Sequence, residues 1–201
     1  MQAVDLSGIA TQIGDQGWAI MPDFVQPELV EALRHECLDP KTRGLFREAG
    51  IGGKRQLRAD IRADRILWLE QPGTTLAQRQ CLTCFEQLRQ ALNQGLQIGL
   101  FEFECHFARY APGAFYRRHL DQFAGGGRRR VSTVLYLNSG WQHGDGGELR
   151  LYPDPAASTG LVDLQPIGGT LVAFLSERFP HEVLPARCER LSLAGWFKVR
   201  E

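Results

Sequence analysis

The chain changes character at about residue 99. Beyond this point apolar and polar residues alternate in short runs that are separated by glycine- and proline-rich turns. This alternation is the period of a β-strand with one buried face. It predicts eight strands, at about 101–110, 115–120, 131–137, 147–152, 161–166, 169–175, 180–184 and 190–199. Eight short strands with such turns favour a double-sheet jelly roll, that is, a double-stranded β-helix.

In the first half of the chain, hydrophobic residues recur mostly at the spacing of an α-helix. A short amphipathic helix is predicted over 4–16 and a strand over 18–21. A second helix begins at Pro27, and a third runs from Thr75 to about Asn93, stopped by Gly95. We therefore expect a mainly β protein with helices, in one domain over 1–201. Residues 1–98 supply supporting helices and the first strands, and residues 99–199 form the jelly-roll core.

The hydrophobic pattern dissolves between residues 44 and 63, which are rich in glycine and charge. A strand is predicted after this segment, at 61–69. Because functional loops are carried by rigid scaffolds, the segment is a candidate substrate clamp. On composition alone, a disordered surface loop explains it equally well.

Composition excludes several classes of protein. The 201 residues carry 23 basic and 23 acidic side chains, so no overall charge favours nucleic acid. Neither a membrane span nor a signal peptide is predicted. The five cysteines favour reduced thiols in a cytoplasm, and Cys81 and Cys84 are expected to be helix core residues rather than a zinc or redox pair. The cluster at 128–130 (Arg-Arg-Arg) is expected in a solvated loop.

Three residues carry candidate metal chemistry. His119 and Asp121 are two positions apart, so they share one face of a strand, and His181 lies in a second predicted strand. Two imidazoles and one carboxylate form the facial triad of non-haem Fe(II) oxygenases, which leaves half of an octahedral coordination sphere open. A second His-x-Asp pair, His143 and Asp145, lies in a glycine-rich turn and is a weaker candidate.

A candidate anion site lies on the last predicted strand. Arg190, Ser192, Ala194 and Trp196 share one face of it, and an arginine can bind a carboxylate through two parallel hydrogen bonds. We expect Arg190 to hold the distal carboxylate of 2-oxoglutarate while the metal binds the other end. Tyr136, Tyr110 and Tyr116 are candidates for the pocket wall. The alternative is a slipped register, in which Arg190 faces water.

Several motifs together resemble the prolyl 4-hydroxylase branch of the 2-oxoglutarate oxygenases, and most of all the hypoxia-inducible-factor prolyl hydroxylases. The resemblance covers about residues 45–199, and its motifs are Tyr110-Ala-Pro-Gly113, Tyr116-Arg-Arg-His119-Leu-Asp121, Tyr136-Leu-Asn138, Gly146-Gly-Glu-Leu-Arg-Leu-Tyr152-Pro153, His181-Glu-Val183, Arg190 and Trp196. The upstream run Ile61-Arg62-Ala-Asp64-Arg-Ile-Leu-Trp68 is similar to the strand after the flexible substrate-gripping loop of that family.

By position, the resemblance implies residue roles and reactants. His119, Asp121 and His181 would bind Fe(II), and Arg190 and Tyr136 would bind 2-oxoglutarate. Tyr110 would border this cosubstrate, although its spacing to His119 is one residue shorter than in the animal enzymes. Arg62 and Asp64 would support the substrate loop. Dioxygen would be the oxidant, ascorbate a reductant, and no protein general base is assigned.

The resemblance also implies a substrate. The compact chain is similar to bacterial relatives, for which the implied substrate is a proline of elongation factor Tu. We therefore expect a cytoplasmic monomer that acts on a protein and binds neither nucleic acid nor membranes. Two alternatives remain open, because a fold does not fix a substrate. One is an oxygenase that acts on a small molecule such as a free amino acid, and the other is a non-catalytic jelly-roll binding protein.

Overall fold

The computed structural model describes residues 5–50, 56–69, 74–122, 127–154 and 159–200. The helices are α1 (Leu6–Gln16), α2 (Pro27–Leu38), α3 (Pro40–Arg43) and α4 (Leu76–Leu96). The strands are β1 (Trp18–Met21), β2 (Arg47–Glu48), β3 (Arg65–Trp68), β4 (Leu100–Tyr110), β5 (Tyr116–His119), β6 (Arg129–Tyr136), β7 (Leu149–Leu151), β8 (Val162–Leu164), β9 (Leu171–Leu175), β10 (His181–Val183) and β11 (Arg190–Val199).

The strands form two antiparallel sheets. The larger sheet has the order β1-β9-β6-β11-β4-β3-β2, and the smaller has the order β5-β10-β7-β8. A buried cluster joins the facing sides of the two sheets, with Tyr136 and Phe174 from the larger sheet and Leu149, Leu151 and Val183 from the smaller. This arrangement confirms the predicted jelly roll, and β4 to β11 are its eight predicted strands.

The helices cover the other face of the larger sheet. Ile9 and Ile13 of α1 and Leu88 of α4 pack in one cluster with Leu193 and Phe197 of β11. The alternating side chains of β11 therefore serve two cores, since one set packs under the helices and the other lines the space between the sheets. This division leaves Arg190, Ser192, Ala194 and Trp196 on the inner side.

Three sequence expectations need correction. Helix α4 continues past Gly95 to Leu96, and a Cβ at Gly95 would come within 2.7 Å of the Ala10 Cβ. This glycine permits close packing of α1 against α4 and does not end the helix. Strand β3 is shorter than the predicted strand over 61–69. The arginine cluster at 128–130 also differs from its expectation.

Among the arginines at 128–130, Arg129 and Arg130 lie in a strand and not in a solvated loop, while Arg128 lies in the bend just before it. Strand β6 begins at Arg129, and the guanidinium of Arg129 lies 3.7 Å from the ring centroid of Trp196. The three arginines pair with acidic residues of neighbouring strands and turns: Arg128 with Glu102, Arg129 with Glu104 and Arg130 with Glu177. Sequence alone could not reveal these partners, because all of them are distant along the chain.

The segment at 44–63 is partly a hairpin. Arg47 and Glu48 pair with Ile66 and Arg65 of β3, while residues 51–55 lie outside the described part. The predicted turns at 125–127 and 153–155 also fall partly outside it. Cys81 is buried and Cys84 half-buried on α4, as expected for core thiols. None of the helices in the described residues is both long and apolar enough to span a membrane.

Candidate active site

The two candidate histidines meet across neighbouring strands. His119 ends β5 and His181 begins β10, and the two residues are direct partners in the register of that pair. Asp121 follows β5 by two residues. The potential ligand atoms of these three side chains all lie within 4.8 Å of one another, and no other such group occurs in the ranges that the structure describes. The predicted triad is therefore assembled in space.

Hydrogen bonds orient both imidazoles. Nδ1 of His119 lies 2.8 Å from the carbonyl oxygen of Arg117, and Nδ1 of His181 lies 3.0 Å from that of Phe179. Because a carbonyl only accepts, Nδ1 of each ring must donate, and in the neutral ring the lone pair is therefore on Nε2. Each Nε2 lies 3.6 Å from an oxygen of Asp121. Both rings thus present the nitrogen that a metal ion requires.

Electrostatics holds two of the ligands, Asp121 and His181, in the protonation states that bind metal. Burial alone would raise the pKa of Asp121, but His181, His119 and the Ser132 hydroxyl lower it well below its usual range. Burial lowers the pKa of His181 to about 4. At neutral pH the site therefore offers a carboxylate and a neutral imidazole.

A stack of planar groups supports His119 from the side. The ring of Tyr116 lies on that of His119, with centroids 3.5 Å apart and planes 15° apart. The guanidinium of Arg62 lies 4.2 Å from the Tyr116 centroid and forms two hydrogen bonds to Asp64, of 2.7 and 2.6 Å. Sequence reasoning placed Tyr116 on the pocket wall and Arg62 near the substrate loop, and the structure joins both to the metal end.

Arg190 is buried and only partly satisfied. It is 1% exposed, so the alternative of a water-facing register is wrong. Its Nε donates to the carbonyl of Gly147 at 2.9 Å and its Nη1 to the Ser192 hydroxyl at 3.2 Å, but its Nη2 has no partner among the described residues. A Cβ at Gly147 would lie 3.2 Å from Cδ of Arg190, so glycine permits this close approach.

Two tyrosines flank the guanidinium of Arg190. Its central carbon lies 5.0 Å from the ring centroid of Tyr110 and 5.1 Å from that of Tyr136. The Tyr136 hydroxyl is buried and also lacks a partner in the described structure. Burial raises the pKa of Tyr136 to about 12, although Arg190 opposes this shift, so the hydroxyl keeps its proton and can donate.

These unpartnered donors fit the distal carboxylate of 2-oxoglutarate. A buried cation without an anion is costly, and unpaired buried donors cost free energy as well. A carboxylate between Nη2 of Arg190 and the Tyr136 hydroxyl would satisfy both groups with charge-assisted hydrogen bonds. The triad fits a divalent iron equally well in number and type of ligands.

Strand register places the anion end and the metal end in one compartment. Ser192 of β11 lies opposite Tyr136 of β6, and Trp196 lies opposite Ser132, which donates to Asp121 at 2.7 Å. The small side chain of Ala194 lies between the two ends on the same face. Arg190 and the triad therefore face the same inner side of the larger sheet, as a single ligand with a carboxylate at each end would require.

The second His-x-Asp pair lies in a turn, as the sequence predicted. There His143 contacts Gln165 and Asp145 accepts from the backbone of Gln142, so this second pair does not join the triad. The bonds of Ser132 and the close approach at Gly147 were not predicted from the sequence. Ser132 was detectable, because it shares the Tyr136 face by alternation.

Comparisons with known proteins identify the family of this chain. The sequence profile of the 2OG-Fe(II) oxygenase superfamily matches residues 105–198, which contain the triad and Arg190. The crystal structure of a Pseudomonas putida prolyl-4-hydroxylase is similar with a TM-score of 0.87 and 46% identity, covering 98% of this chain and 100% of that one. The profile match indicates a 2OG-Fe(II) oxygenase, and the similar crystal structure indicates the prolyl 4-hydroxylases among them.

More distant relatives point the same way. A prolyl hydroxylase from Trichoplax adhaerens, solved in complex with a peptide fragment of the hypoxia-inducible-factor oxygen degradation domain, matches with a TM-score of 0.84 and 28% identity over 96% of this chain and 89% of that one. The hypoxia-inducible factor prolyl hydroxylase of Caenorhabditis elegans is 26% identical over 94% of this chain. The chain spans only 27% of the length of that nematode relative. The protein belongs to the prolyl 4-hydroxylase family of 2-oxoglutarate- and Fe(II)-dependent oxygenases.

Proposed function

We propose that this protein hydroxylates a prolyl residue of another protein, with Fe(II) bound by His119, Asp121 and His181. The tail carboxylate of 2-oxoglutarate is bound by Arg190 and Tyr136, and Tyr110 borders it. The observation that carries the proposal is the pair of unpartnered donors on Arg190 and Tyr136, in the same compartment as the triad. A buried guanidinium with an unpaired Nη2 favours a bound anion at this end of the site.

The protein's own contribution is positioning and electrostatics. Bound iron with 2-oxoglutarate and dioxygen supplies the oxidising chemistry, in which the cosubstrate becomes succinate and carbon dioxide. The backbone carbonyls of Arg117 and Phe179 fix the tautomers of the two histidines. Arg190 fixes the register of the cosubstrate, and the apolar cluster around Tyr136 and Phe174 excludes water. No side chain is required as a general base.

The proposed substrate class is a protein. The Trichoplax relative was solved in complex with a peptide, and by analogy the described residues that precede β3 are the proposed contact for one here. Arg62 supports that segment. It forms a salt bridge with Asp64, just before β3, and donates to the carbonyl of Gly50 at 3.4 Å. Among protein substrates we propose elongation factor Tu, because the chain resembles the compact bacterial relatives. We also propose one domain, a monomeric state, a cytoplasmic location and ascorbate as a reductant.

The test is a mass spectrum of purified elongation factor Tu after incubation with this protein, Fe(II), 2-oxoglutarate and air. We expect one added oxygen on a proline, and none with the Asp121→Ala variant. Succinate release without any oxygen on elongation factor Tu would retain the oxygenase and reject this substrate. Neither product, from protein shown to bind iron, would reject catalysis.

A further inference from the structure

The three candidate ligands are oriented by different means. Main-chain carbonyls hold the two imidazoles, each from the residue two positions earlier in the chain. Asp121 is held instead by a side chain, the hydroxyl of Ser132, at 2.7 Å from Oδ2. Asp121 lies beyond the end of β5, so strand pairing does not fix it as it fixes His119 and His181. The carboxylate therefore depends on a partner that can be substituted.

A second hydroxyl lies behind the first. Oγ of Ser132 is 2.9 Å from Oγ of Ser176, and the two residues are 1% and 0% exposed. An ionised carboxylate only accepts, so the Ser132 hydroxyl must donate its hydrogen bond to Asp121. The remaining hydroxyl, Ser176, must then donate to Ser132. The order of donation is Ser176 to Ser132 to Asp121.

Rigid elements hold both serines. Ser132 lies within β6, between β9 and β11, and Ser176 directly follows β9. The backbone N–H of Ser176 also donates to the carbonyl of Arg130 at 3.0 Å. A chain of hydrogen bonds away from water strengthens each of its members, because every donor is polarised by the one behind it.

We propose that Ser132, supported by Ser176, is a positioning residue that sets the orientation of the Asp121 carboxylate and thereby the affinity of the triad for a divalent metal. This inference rests on the proposed function, in that the triad binds metal. Outer partners of metal ligands typically change metal affinity by about 10- to 100-fold when removed. We expect this size of effect for Ser132→Ala.

The experiment titrates metal-free protein with Co(II) and follows the absorption spectrum of the bound ion, without cosubstrate. Ser132→Ala should weaken Co(II) binding by about 10- to 100-fold and change the spectrum. Ser132→Thr keeps the hydroxyl and should restore affinity and spectrum. Ser176→Ala should weaken binding by only about two- to fourfold, because it removes the polarising donor and not the direct one.

Thr133 provides the matched control. It is the next residue of β6, is equally buried, and donates its hydroxyl to the carbonyl of Gly195 at 3.2 Å. By alternation its side chain is on the opposite face of the strand from Ser132. Thr133→Val should leave Co(II) binding unchanged, and thermal unfolding of each metal-free variant shows whether it is folded.

The outcomes separate the two proposals. If the wild type does not bind Co(II), the proposed metal site is wrong. It is also wrong if the Asp121→Ala variant binds Co(II) as tightly as the wild type does. If the wild type binds through Asp121 but folded Ser132→Ala binds equally well, the positioning role is wrong. It is also wrong if Ser132→Thr loses as much affinity as Ser132→Ala, because the loss would then follow from repacking.

Discussion

The two ends of the inner compartment are built in opposite ways. At the metal end, each imidazole has a carbonyl partner for its Nδ1 and the carboxylate has a hydroxyl, so the ligands are oriented before any ion arrives. At the anion end, Nη2 of Arg190 and the Tyr136 hydroxyl are buried without partners in the described structure. One end is complete in itself, whereas the other is complete only with a ligand.

This difference indicates how the free energy is divided between the two ends. Orienting the ligands in advance lowers the entropic cost of binding the metal. Unpaired donors destabilise the ligand-free protein, and a bound carboxylate relieves that cost. Changes at the metal end should therefore reduce metal affinity or stability, while changes at the anion end should act mainly on the 2-oxoglutarate requirement.

The largest expected effect is that of Asp121→Ala. It removes the only charged ligand of the triad, so Co(II) binding should weaken by more than about 100-fold, beyond the range of an outer partner. Release of succinate from 2-oxoglutarate should stop. The control is Asp145→Ala, in the second His-x-Asp pair, which should retain both properties. Succinate release by Asp121→Ala would exclude this carboxylate from the site.

The next largest effect is expected from Arg62, which lies behind Tyr116 and His119. Arg62 and Asp64 form a two-bond pair in which the Asp64 side chain is 0% exposed. Arg62→Ala leaves a buried charge unpaired and should lower the free energy of unfolding by about 3–5 kcal/mol. The exposed pair of Arg58 and Asp60 has the same two-residue spacing and two bonds, of 2.9 and 2.8 Å.

This exposed pair is the matched control for burial. Arg58→Ala should leave stability nearly unchanged, because exposed ion pairs contribute little. Denaturant unfolding of the two variants measures the contrast. Equal losses in both would show that burial of Asp64 is not what makes Arg62 necessary.

The three candidate metal ligands were easier to predict from the sequence than the residues that hold them in place. His119 and Asp121 could be found because His-x-Asp is a local pattern that places both side chains on one face of a strand. His181 is distant in the chain and was linked to them by its ligand type and by the family resemblance. Eight strands after residue 99 followed from the alternation of apolar and polar residues. Ser176 and the stack of Arg62 on Tyr116 could not be found in this way, because their contacts join elements distant in the chain.

The corrections have the same cause. Gly95 was expected to end a helix from its local conformational freedom, but close packing on Ala10 of another helix explains it. The arginines at 128–130 were expected in solvent from their charge, but glutamates of β4 and of the turn after β9 pair with them. Local rules describe a residue's preference, and tertiary partners decide whether it is followed.

At the anion end, Arg190→Lys should raise the 2-oxoglutarate requirement. Lysine keeps the charge but loses the planar fork and the bond to the Gly147 carbonyl. Weakening a desolvated charge pair costs roughly 2–5 kcal/mol, so the KM for 2-oxoglutarate should rise about 30-fold or more while Co(II) binding is retained. Arg150→Lys, outside the compartment, is the control. An unchanged KM would remove Arg190 from the site.

The smallest and most discriminating change is Tyr136→Phe. It removes one hydroxyl that has no partner in the described structure, so the ligand-free protein should become more stable, by about 1 kcal/mol. The same hydroxyl is expected to donate to the cosubstrate, so the KM for 2-oxoglutarate should rise by roughly 2- to 10-fold. Thermal unfolding without ligand and steady-state kinetics measure the two effects. A variant that is both less stable and unchanged in KM would mean that the hydroxyl is satisfied within the protein, and the contrast between the two ends would then rest on Arg190 alone.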